Sequence, residues 1–371
     1  MNNDIFVSRR KKLAEYMHKN EISLVIVEDF EGRRNSNLRY LCGHPTDAIL
    51  GIFNDGTSVL VPWDEILAKK MAFSETVVPL NKFGRQSHRA ISEIVSMGNF
   101  PKKAVIDLPP TTTVPAFEKL KNFLGDYTLQ CKEDSSEKYV HGLRHIKSDE
   151  ELSVMRKAAA ITDEIVSSLE KKLTARELST ESDVALFIEK ECRKLGCDGT
   201  SFDTLVAGPE RSFAIHAFPG YTNGAFGSPG LSILDFGVNY GGYASDVTVT
   251  VARDLNFQQE SRLNLVLQAY DLALAQYLPG QPAKNAASVV DELFAKHNLT
   301  MPHGLGHSIG LDVHDGLRVT PTSEVIFEKG MVFSLEPGLY DEKIGGCRYE
   351  NDVLITEDGN EVLTKTRVVR L

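Results

Sequence analysis

The hydrophobic pattern of the chain changes character after about 140 residues. Up to that point, short apolar runs alternate with amphipathic stretches of helical period, as in layered α/β domains. The predicted strands are Ser23–Glu28, Ala48–Phe53, Ser58–Trp63 and Ala104–Leu108, and the predicted helices are Arg9–His18, Asp64–Phe73, Ser87–Met97 and Val114–Leu124. The alternation predicts a small α/β domain over residues 1–140, without an obvious reaction centre.

The remainder, residues 141–371, predicts a second domain of the α+β class. The polar stretch Lys132–Lys138 ends the alternation, and helical periodicity then covers Ser148–Glu170 and Thr180–Lys194. From Ser201 onward the sequence is rich in strand patterns, glycines and acidic residues. A chain of 371 residues also exceeds the length that one hydrophobic core usually organises, which agrees with two domains.

Composition excludes several classes of function. The formal net charge of −10 disfavours binding to nucleic acid, whose phosphates attract Lys and Arg. Basic residues precede any apolar run at the start, so neither a secretory signal nor a membrane partner is expected. The 5 cysteines are scattered and lack Cys-x-x-Cys spacing, as is usual for reduced thiols. We therefore expect a cytoplasmic protein.

Two acidic residues flank a predicted β-hairpin. If Asn239–Gly242 forms a four-residue loop, Asp235 and Asp246 lie directly opposite each other on the paired strands. Carboxylates about 5 Å apart across a strand pair repel each other unless a cation or a shared proton lies between them. A divalent metal ion would remove this cost.

A second acidic pair and a group of histidines follow. Glu336 and Glu350 are symmetric about Lys343, so a hairpin here brings them together, although a Pro-Gly sequence after Glu336 interrupts the first strand. The segment Met301–Asp315 contains three histidines and is too rich in glycine to form a stable helix. Oxygen-rich ligand sets with few imidazoles suit Mn²⁺ or Co²⁺, and ions about 3.5–4 Å apart activate a bridging water.

The sequence contexts of these residues resemble the pita-bread metallopeptidases of the methionine aminopeptidase and prolidase superfamily. The contexts are Leu-Asp-Phe-Gly, Ser-Asp-Val-Thr, Gly-Leu-Gly-His, Leu-Glu-Pro-Gly and Arg-Tyr-Glu-Asn-Asp-Val, around Asp235, Asp246, His307, Glu336 and Glu350. Ser201–Ala207, Ile215–Ala217 and Leu143–Ser148 are similar to the aminoacyl-proline branch, closest to the prolidases. Asn37–Gly43 resembles a creatinase-type N-terminal domain. The implied fold is a pita-bread catalytic domain preceded by that smaller α/β domain.

The resemblance implies a dinuclear metal site. Asp235 would bind one ion, His307 and Glu336 would bind the other, and Asp246 and Glu350 would bridge the two. Mn²⁺ is the favoured metal, with Co²⁺ or Zn²⁺ as alternatives. A metal-bridging hydroxide would attack the scissile carbonyl, and Glu350 would carry the proton.

Four further residues receive roles from the same resemblance. His216 and His314 would be catalytic groups that stabilise the tetrahedral intermediate. His216, His303 and Arg348 would contact the substrate. Arg348 precedes Glu350 by two residues on a strand, so it either anchors that carboxylate or reaches the substrate.

The implied function is hydrolysis of the peptide bond before proline in short peptides, above all Xaa-Pro dipeptides, by a homodimer. One alternative is an aminopeptidase P that acts on longer peptides. A creatinase-like hydrolase or a non-catalytic binding module could share the fold, but both normally lose metal ligands, and none is lost here. The sequence contains no His-Glu-x-x-His helix motif and no phosphate-binding Gly-Lys-Ser/Thr loop.

Overall fold

The computed structural model describes residues 3–371, and the chain divides into two compact units, Met1–Arg144 and His145–Leu371. The helix Ser136–Arg144 spans the position at which the sequence predicted the domain boundary. Its first residues belong to the polar stretch that was interpreted as a break between the domains.

The first unit alternates helices and strands as predicted. Its elements are α1 (Asn3–Lys19), β1 (Ile22–Asp29), α2 (Ser36–Cys42), β2 (Ala48–Phe53), β3 (Ser58–Pro62), α3 (Glu65–Met71), β4 (Thr76–Val77), a 3₁₀ helix (Leu80–Phe83), α4 (Ser87–Met97), β5 (Val105–Leu108), α5 (Val114–Phe123), β6 (Thr128–Cys131) and α6 (Ser136–Arg144). The strands form a sheet in the order β4-β3-β2-β1-β5-β6, antiparallel among β1, β2 and β3 and parallel elsewhere.

The core of this unit lies between the sheet and its amphipathic helices. Ile91 and Ile94 of α4 are buried against the sheet. A Cβ atom at Gly51 in β2 would lie 2.4 Å from Ile94 Cγ2, so glycine permits this close approach. The helix α2 was not predicted, because seven residues show little periodicity, although Asn35 caps its start and Gly43 ends it with φ 78°.

The second unit contains the helices and strands of an α+β domain. Its elements are α7 (Asp149–Thr174), α8 (Glu181–Lys194), β7 (Gly199–Thr200), β8 (Leu205–Ala207), β9 (Gly230–Phe236), β10 (Val238–Tyr240), β11 (Tyr243–Ala244), β12 (Val247–Arg253), α9 (Phe257–Leu274), α10 (Ala283–Lys296), β13 (Gly306–His307), β14 (Arg318–Val319), β15 (Val332–Leu335), β16 (Gly338–Asp341), β17 (Gly345–Arg348), β18 (Asn351–Ile355), β19 (Asn360–Val362) and β20 (Val369–Arg370). The predicted class is confirmed. The strand-rich prediction beyond Ser201 was incomplete, because it omitted α9 and α10.

Sheets and helices of this unit pack around several apolar clusters, of which two are large. The sheet β20-β12-β9-β8 packs with α7 and α8, and α9 and α10 pack with β15 and β18. Strands β9 and β12 form one hairpin-like pair, and β15 to β18 form a second. These two pairs carry the acidic residues that the sequence singled out.

Candidate metal centre and substrate cavity

The first hairpin differs in register from the prediction. Tyr240 pairs with Tyr243, so the turn consists of Gly241 and Gly242 alone, with φ of 57° and 89°. Two positive φ values are the requirement of a two-residue type I′ turn, which glycine meets without strain. The prediction of a four-residue loop over Asn239–Gly242 was therefore wrong.

Asp235 consequently pairs with Thr248 rather than with Asp246. A register shift of two residues keeps side chains on the same face of the sheet, whereas a shift of one would reverse them. Asp246 therefore lies diagonally from Asp235 instead of directly opposite, and both buried carboxylates line the same cavity. The prediction that the two share a face is confirmed.

The second hairpin has the predicted register. Leu335 pairs with Asn351 and Gly338 pairs with Arg348, so both ladders are symmetric about Lys343. Between the ladders the Pro-Gly sequence breaks the pairing and leaves Glu336 and Glu350 at the gap. Both side chains line the cavity that also receives Asp235 and Asp246.

His307 joins these carboxylates from β13. Its Nε2 lies 3.4 Å from Asp246 Oδ2 and 3.5 Å from Glu336 Oε1. The Ser334 hydroxyl accepts a hydrogen bond from the His307 backbone N at 3.0 Å and donates to Glu336 Oε1 at 3.3 Å. A Cβ atom at Gly306 would lie 2.1 Å from Ser334 O, so the preceding glycine lets β13 approach β15.

The electrostatics of this group favour a bound cation. Burial, followed by the neighbouring carboxylates, raises the pKa of Asp246 and of Glu350 well above the usual range. Burial also raises the pKa of Asp235, and Arg348 partly opposes that shift. Asp235 Oδ1 is buried without a hydrogen-bond partner among the described residues. Burying an ionised carboxylate costs free energy unless a cation or a hydrogen-bond donor offsets its charge.

The donor atoms have the chemistry and spacing of a metal site. One ligand atom each from Asp246, His307 and Glu350 lie within 4.8 Å of one another. Four carboxylates with one imidazole form an oxygen-rich set that suits Mn²⁺ or a similar divalent ion. The residues present therefore fit a divalent metal ion.

Arg348 does not line the cavity, and its predicted contact with substrate is not supported. The side chain is 2% exposed, and its Nη2 lies 2.5 Å from Asp235 Oδ2. Its Nε donates to Thr248 Oγ1 at 2.7 Å, and that hydroxyl donates to Glu350 Oε2 at 2.6 Å. Because these nitrogens bind the protein interior, Arg348 orients two candidate metal ligands.

Loss of this guanidinium should destabilise the fold strongly. We expect Arg348→Met to lower the unfolding free energy of metal-free protein by about 3–5 kcal/mol, because Asp235 would lose its buried counter-charge. The matched control is Arg367→Met, which removes the exposed pair with Glu170 and should cost about 1 kcal/mol or less. Urea denaturation measures both. Equal, small effects would contradict the anchoring role.

The carboxylates and His307 lie in a cavity of about 630 Å³ that also receives three other histidines. These are His216, His303 and His314. The rings of His307 and His314 have centroids 3.9 Å apart. Partial desolvation, followed by the neighbouring His307, lowers the pKa of His314. Apolar side chains complete part of the wall, namely Phe202, Leu205, Ile215 and Val313.

His303 is held by hydrogen bonds at both ring nitrogens. Its Nδ1 lies 2.8 Å from the Gly304 carbonyl oxygen, which can only accept, so the proton belongs on Nδ1. Its Nε2 then accepts from the Tyr340 hydroxyl at 2.9 Å, and that oxygen accepts from Arg348 Nη1 at 2.8 Å. Burial lowers the pKa of His303, which agrees with a neutral ring.

Two residues of this site were not predicted from the sequence. Arg318 pairs with His307 across β13 and β14 and is the one Lys or Arg side chain to line the cavity within residues 3–371. Tyr340 joins His303 to Arg348. Arg318 lies just beyond the histidine-rich segment, so extending that segment through β14 would have included it. Nothing in the sequence marks Tyr340, because its contacts are long-range.

Comparisons with known proteins agree with this site. The model of metallopeptidase family M24 matches residues 153–357. An Xaa-Pro dipeptidase from Pyrococcus horikoshii is 31% identical over 371 residues, which is 98% of this chain and 98% of that protein. Within residues 3–371, no helix is long and apolar enough to cross a membrane.

Solved structures share the fold of the chain. A prolidase from Pyrococcus horikoshii OT3 is 27% identical, with a TM-score of 0.82 over 97% of this chain and 99% of that one. An X-Pro aminopeptidase from Thermotoga maritima MSB8 has a TM-score of 0.84 over 98% of this chain and 99% of that one. At 23% identity, this similarity is evidence for the shared fold only. The predicted pita-bread fold with a smaller N-terminal domain is confirmed. The chain therefore belongs to metallopeptidase family M24 and is a metal-dependent peptidase.

Proposed function

We propose that this protein hydrolyses the peptide bond before proline in Xaa-Pro dipeptides. The main support is the composition of one cavity, in which buried acidic residues and His307 face the same space as the exposed Arg318. The first group suits divalent ions, and the guanidinium suits the carboxylate that ends a dipeptide. The similarity to proteins named Xaa-Pro dipeptidase and prolidase supports the same substrate class. The homodimer and the cytoplasmic location stay predictions.

Two divalent ions are proposed at the acidic residues. Asp235 would hold one ion, and His307 with Glu336 would hold the other. Asp246 and Glu350 would be shared, in keeping with the 3.4 Å between His307 Nε2 and Asp246 Oδ2. Mn²⁺ is favoured by the oxygen-rich ligands, and Co²⁺ or Zn²⁺ would also fit. Bound ions would polarise the scissile carbonyl and lower the pKa of a water molecule.

Glu350 is the proposed carrier of the proton. Its Oε2 accepts from Thr248 at 2.6 Å, which fixes the carboxyl group. Burial raises the pKa of Glu350, so the ionised carboxylate, once cations beside it offset the neighbouring negative charge, is a stronger base than an exposed one. It would take a proton from the attacking water and deliver it to the proline nitrogen as that nitrogen leaves. The hydrogen bond from Thr248 keeps the carboxyl group in one orientation during both transfers.

His314 and His216 are the proposed donors to the substrate. A neutral imidazole carries one N–H, and the lowered pKa of His314 keeps its ring neutral near pH 7. Its contact with the His307 ring places it beside the candidate ligands. An N–H directed at the oxygen that becomes negative in the tetrahedral intermediate stabilises that state more than the ground state.

Arg318 replaces Arg348 as the proposed receptor for the substrate carboxylate. In a dipeptide this carboxylate follows the proline ring directly, so it must meet a cation near the apolar wall that receives the ring. His303, whose nitrogens are engaged by Gly304 and Tyr340, would shape this wall without offering a further N–H. An aminopeptidase P is the second candidate, because the chain matches an X-Pro aminopeptidase in fold as closely as a prolidase.

Amidation of the substrate tests this choice. We expect kcat/KM for an Xaa-Pro dipeptide to exceed that for its amide by about 10- to 150-fold, the equivalent of a lost charged hydrogen bond of about 1.5–3 kcal/mol. In Arg318→Ala this difference should shrink to about twofold, because the receptor is gone. Arg367→Ala is the control, because it removes an arginine that pairs with Glu170 at the surface and does not line the cavity. Preference for Xaa-Pro-Xaa tripeptides, or indifference to amidation, would favour the aminopeptidase.

A further inference from the structure

The loop that presents His216 to the cavity is closed at its base by a buried carboxylate. Glu181, at the start of α8, is 1% exposed. Its oxygens accept hydrogen bonds from Gly208 N at 2.8 Å and from Thr222 N and Oγ1, both at 2.7 Å. These partners lie on either side of the segment 211–219, so one carboxylate joins the two ends of the loop.

Arg211 completes this closure. Its Nη1 donates to Glu181 Oε2 at 2.8 Å, and its Nη2 donates to the carbonyl oxygen of Pro219. One guanidinium therefore links the first and last residues of the loop 211–219 and ties both to α8. We refer to Glu181 and Arg211 together as the clasp.

The residues between the ends of the loop reach the cavity. Ile215 and His216 both line it, and His216 itself is exposed. Arg348 Nη1 donates to the Ile215 carbonyl at 3.2 Å, which holds the loop near its centre, whereas the clasp holds its ends. Neither clasp residue lines the cavity or contacts a candidate metal ligand.

We propose that the clasp is a positioning device for His216, an inference that rests on the proposed peptidase function. A nine-residue loop without fixed ends samples many conformations, and a catalytic donor must be held within about 0.5 Å of its working position. The clasp removes that freedom through charged hydrogen bonds around the buried Glu181 carboxylate, which are stronger than neutral ones. Glu181 and Arg211 thus act on the reaction only through the imidazole of His216.

A double-mutant cycle tests this coupling. In Mn²⁺-loaded protein, Glu181→Gln should lower kcat for an Xaa-Pro dipeptide by about 10- to 100-fold, the effect expected from a displaced catalytic group. The same substitution in a His216→Ala background should change kcat by less than about twofold, because the displaced group is already absent. Metal stoichiometry should be unchanged in both proteins. Glu260→Gln, in the exposed pair with Arg370, is the control.

Amide hydrogen exchange gives a second readout that needs no substrate. Residues 212–218 should exchange at least about tenfold faster in Glu181→Gln, as their local opening becomes easier. If Glu181→Gln does not fold, Arg211→Lys replaces it, because one ammonium group cannot bond Glu181 and Pro219 as the guanidinium does. Equal loss of kcat in both His216 backgrounds, or unchanged exchange, would overturn the proposal. Absence of Xaa-Pro hydrolysis in the wild type would refute the proposed function, and the exchange measurement would still decide whether the clasp holds the loop.

Discussion

Dialysis against a chelator is expected to abolish hydrolysis and to lower the melting temperature, and Mn²⁺ or Co²⁺ should restore both. The physical reason is the concentration of buried negative charge at Asp235, Asp246 and Glu350, whose pKa values burial raises. A cation that binds only the folded state stabilises it by about 2.7 kcal/mol at a hundredfold excess over Kd. Calorimetry and a peptidase assay with and without metal measure the two effects. Full activity in metal-free protein would contradict the metal centre.

The variant Asp246→Asn separates metal binding from folding. Asparagine keeps the volume of the side chain but removes one negative charge, so metal content should fall and kcat should drop by about 10³-fold or more. The metal-free variant should melt no lower than metal-free wild type, because it buries one fewer charge beside other carboxylates. Asp271→Asn, at an exposed position of α9, is the control. A fully active, metal-replete Asp246→Asn would remove this residue from the site.

The acidic hairpins show what sequence symmetry can predict. The second hairpin keeps its symmetry about Lys343 through both ladders, because the Pro-Gly break inserts no unpaired residue. The first was displaced by two residues, because a Gly-Gly pair permits a tighter turn than a four-residue loop. The even displacement preserved the face of Asp235, since side chains alternate with a period of two. The alternation of side chains predicted which sheet face the acidic residues occupy, and the geometry of the turn determined which residues pair across the strands.

Other features depended on contacts that sequence patterns do not encode. Arg348 was assigned either to Glu350 or to substrate. The structure places it directly against Asp235, a residue from a different hairpin, and links it to Glu350 only through Thr248. The link from Tyr340 to His303 likewise joins separate segments. Helix α9 was not predicted even though Asn256 and Gln259 form a capping box, because its apolar residues are spread around the helix instead of forming one stripe.

Large effects are also expected from substitution of the histidines of the cavity. His307→Ala should lose metal, because its Nε2 lies within 3.5 Å of the carboxylates of Asp246 and Glu336. His314→Ala and His216→Ala should retain near-normal metal content while kcat falls by about 10²- to 10³-fold, the usual cost of losing one donor to the tetrahedral intermediate. Elemental analysis and steady-state kinetics on the same preparations separate the two outcomes.

The distinction between ligand and donor has a physical basis in the placement of the rings. His307 is buried beside acidic groups, whereas His314 and His216 stay exposed on segments that line the same cavity. Near pH 7 the lowered pKa of His314 keeps its ring neutral, so it can donate one hydrogen bond without adding charge beside His307. His297→Ala, an exposed residue at the end of α10, should change neither quantity. Equal metal loss in all three cavity variants would show that His314 and His216 bind the ions as well, and the proposed division of roles would be wrong.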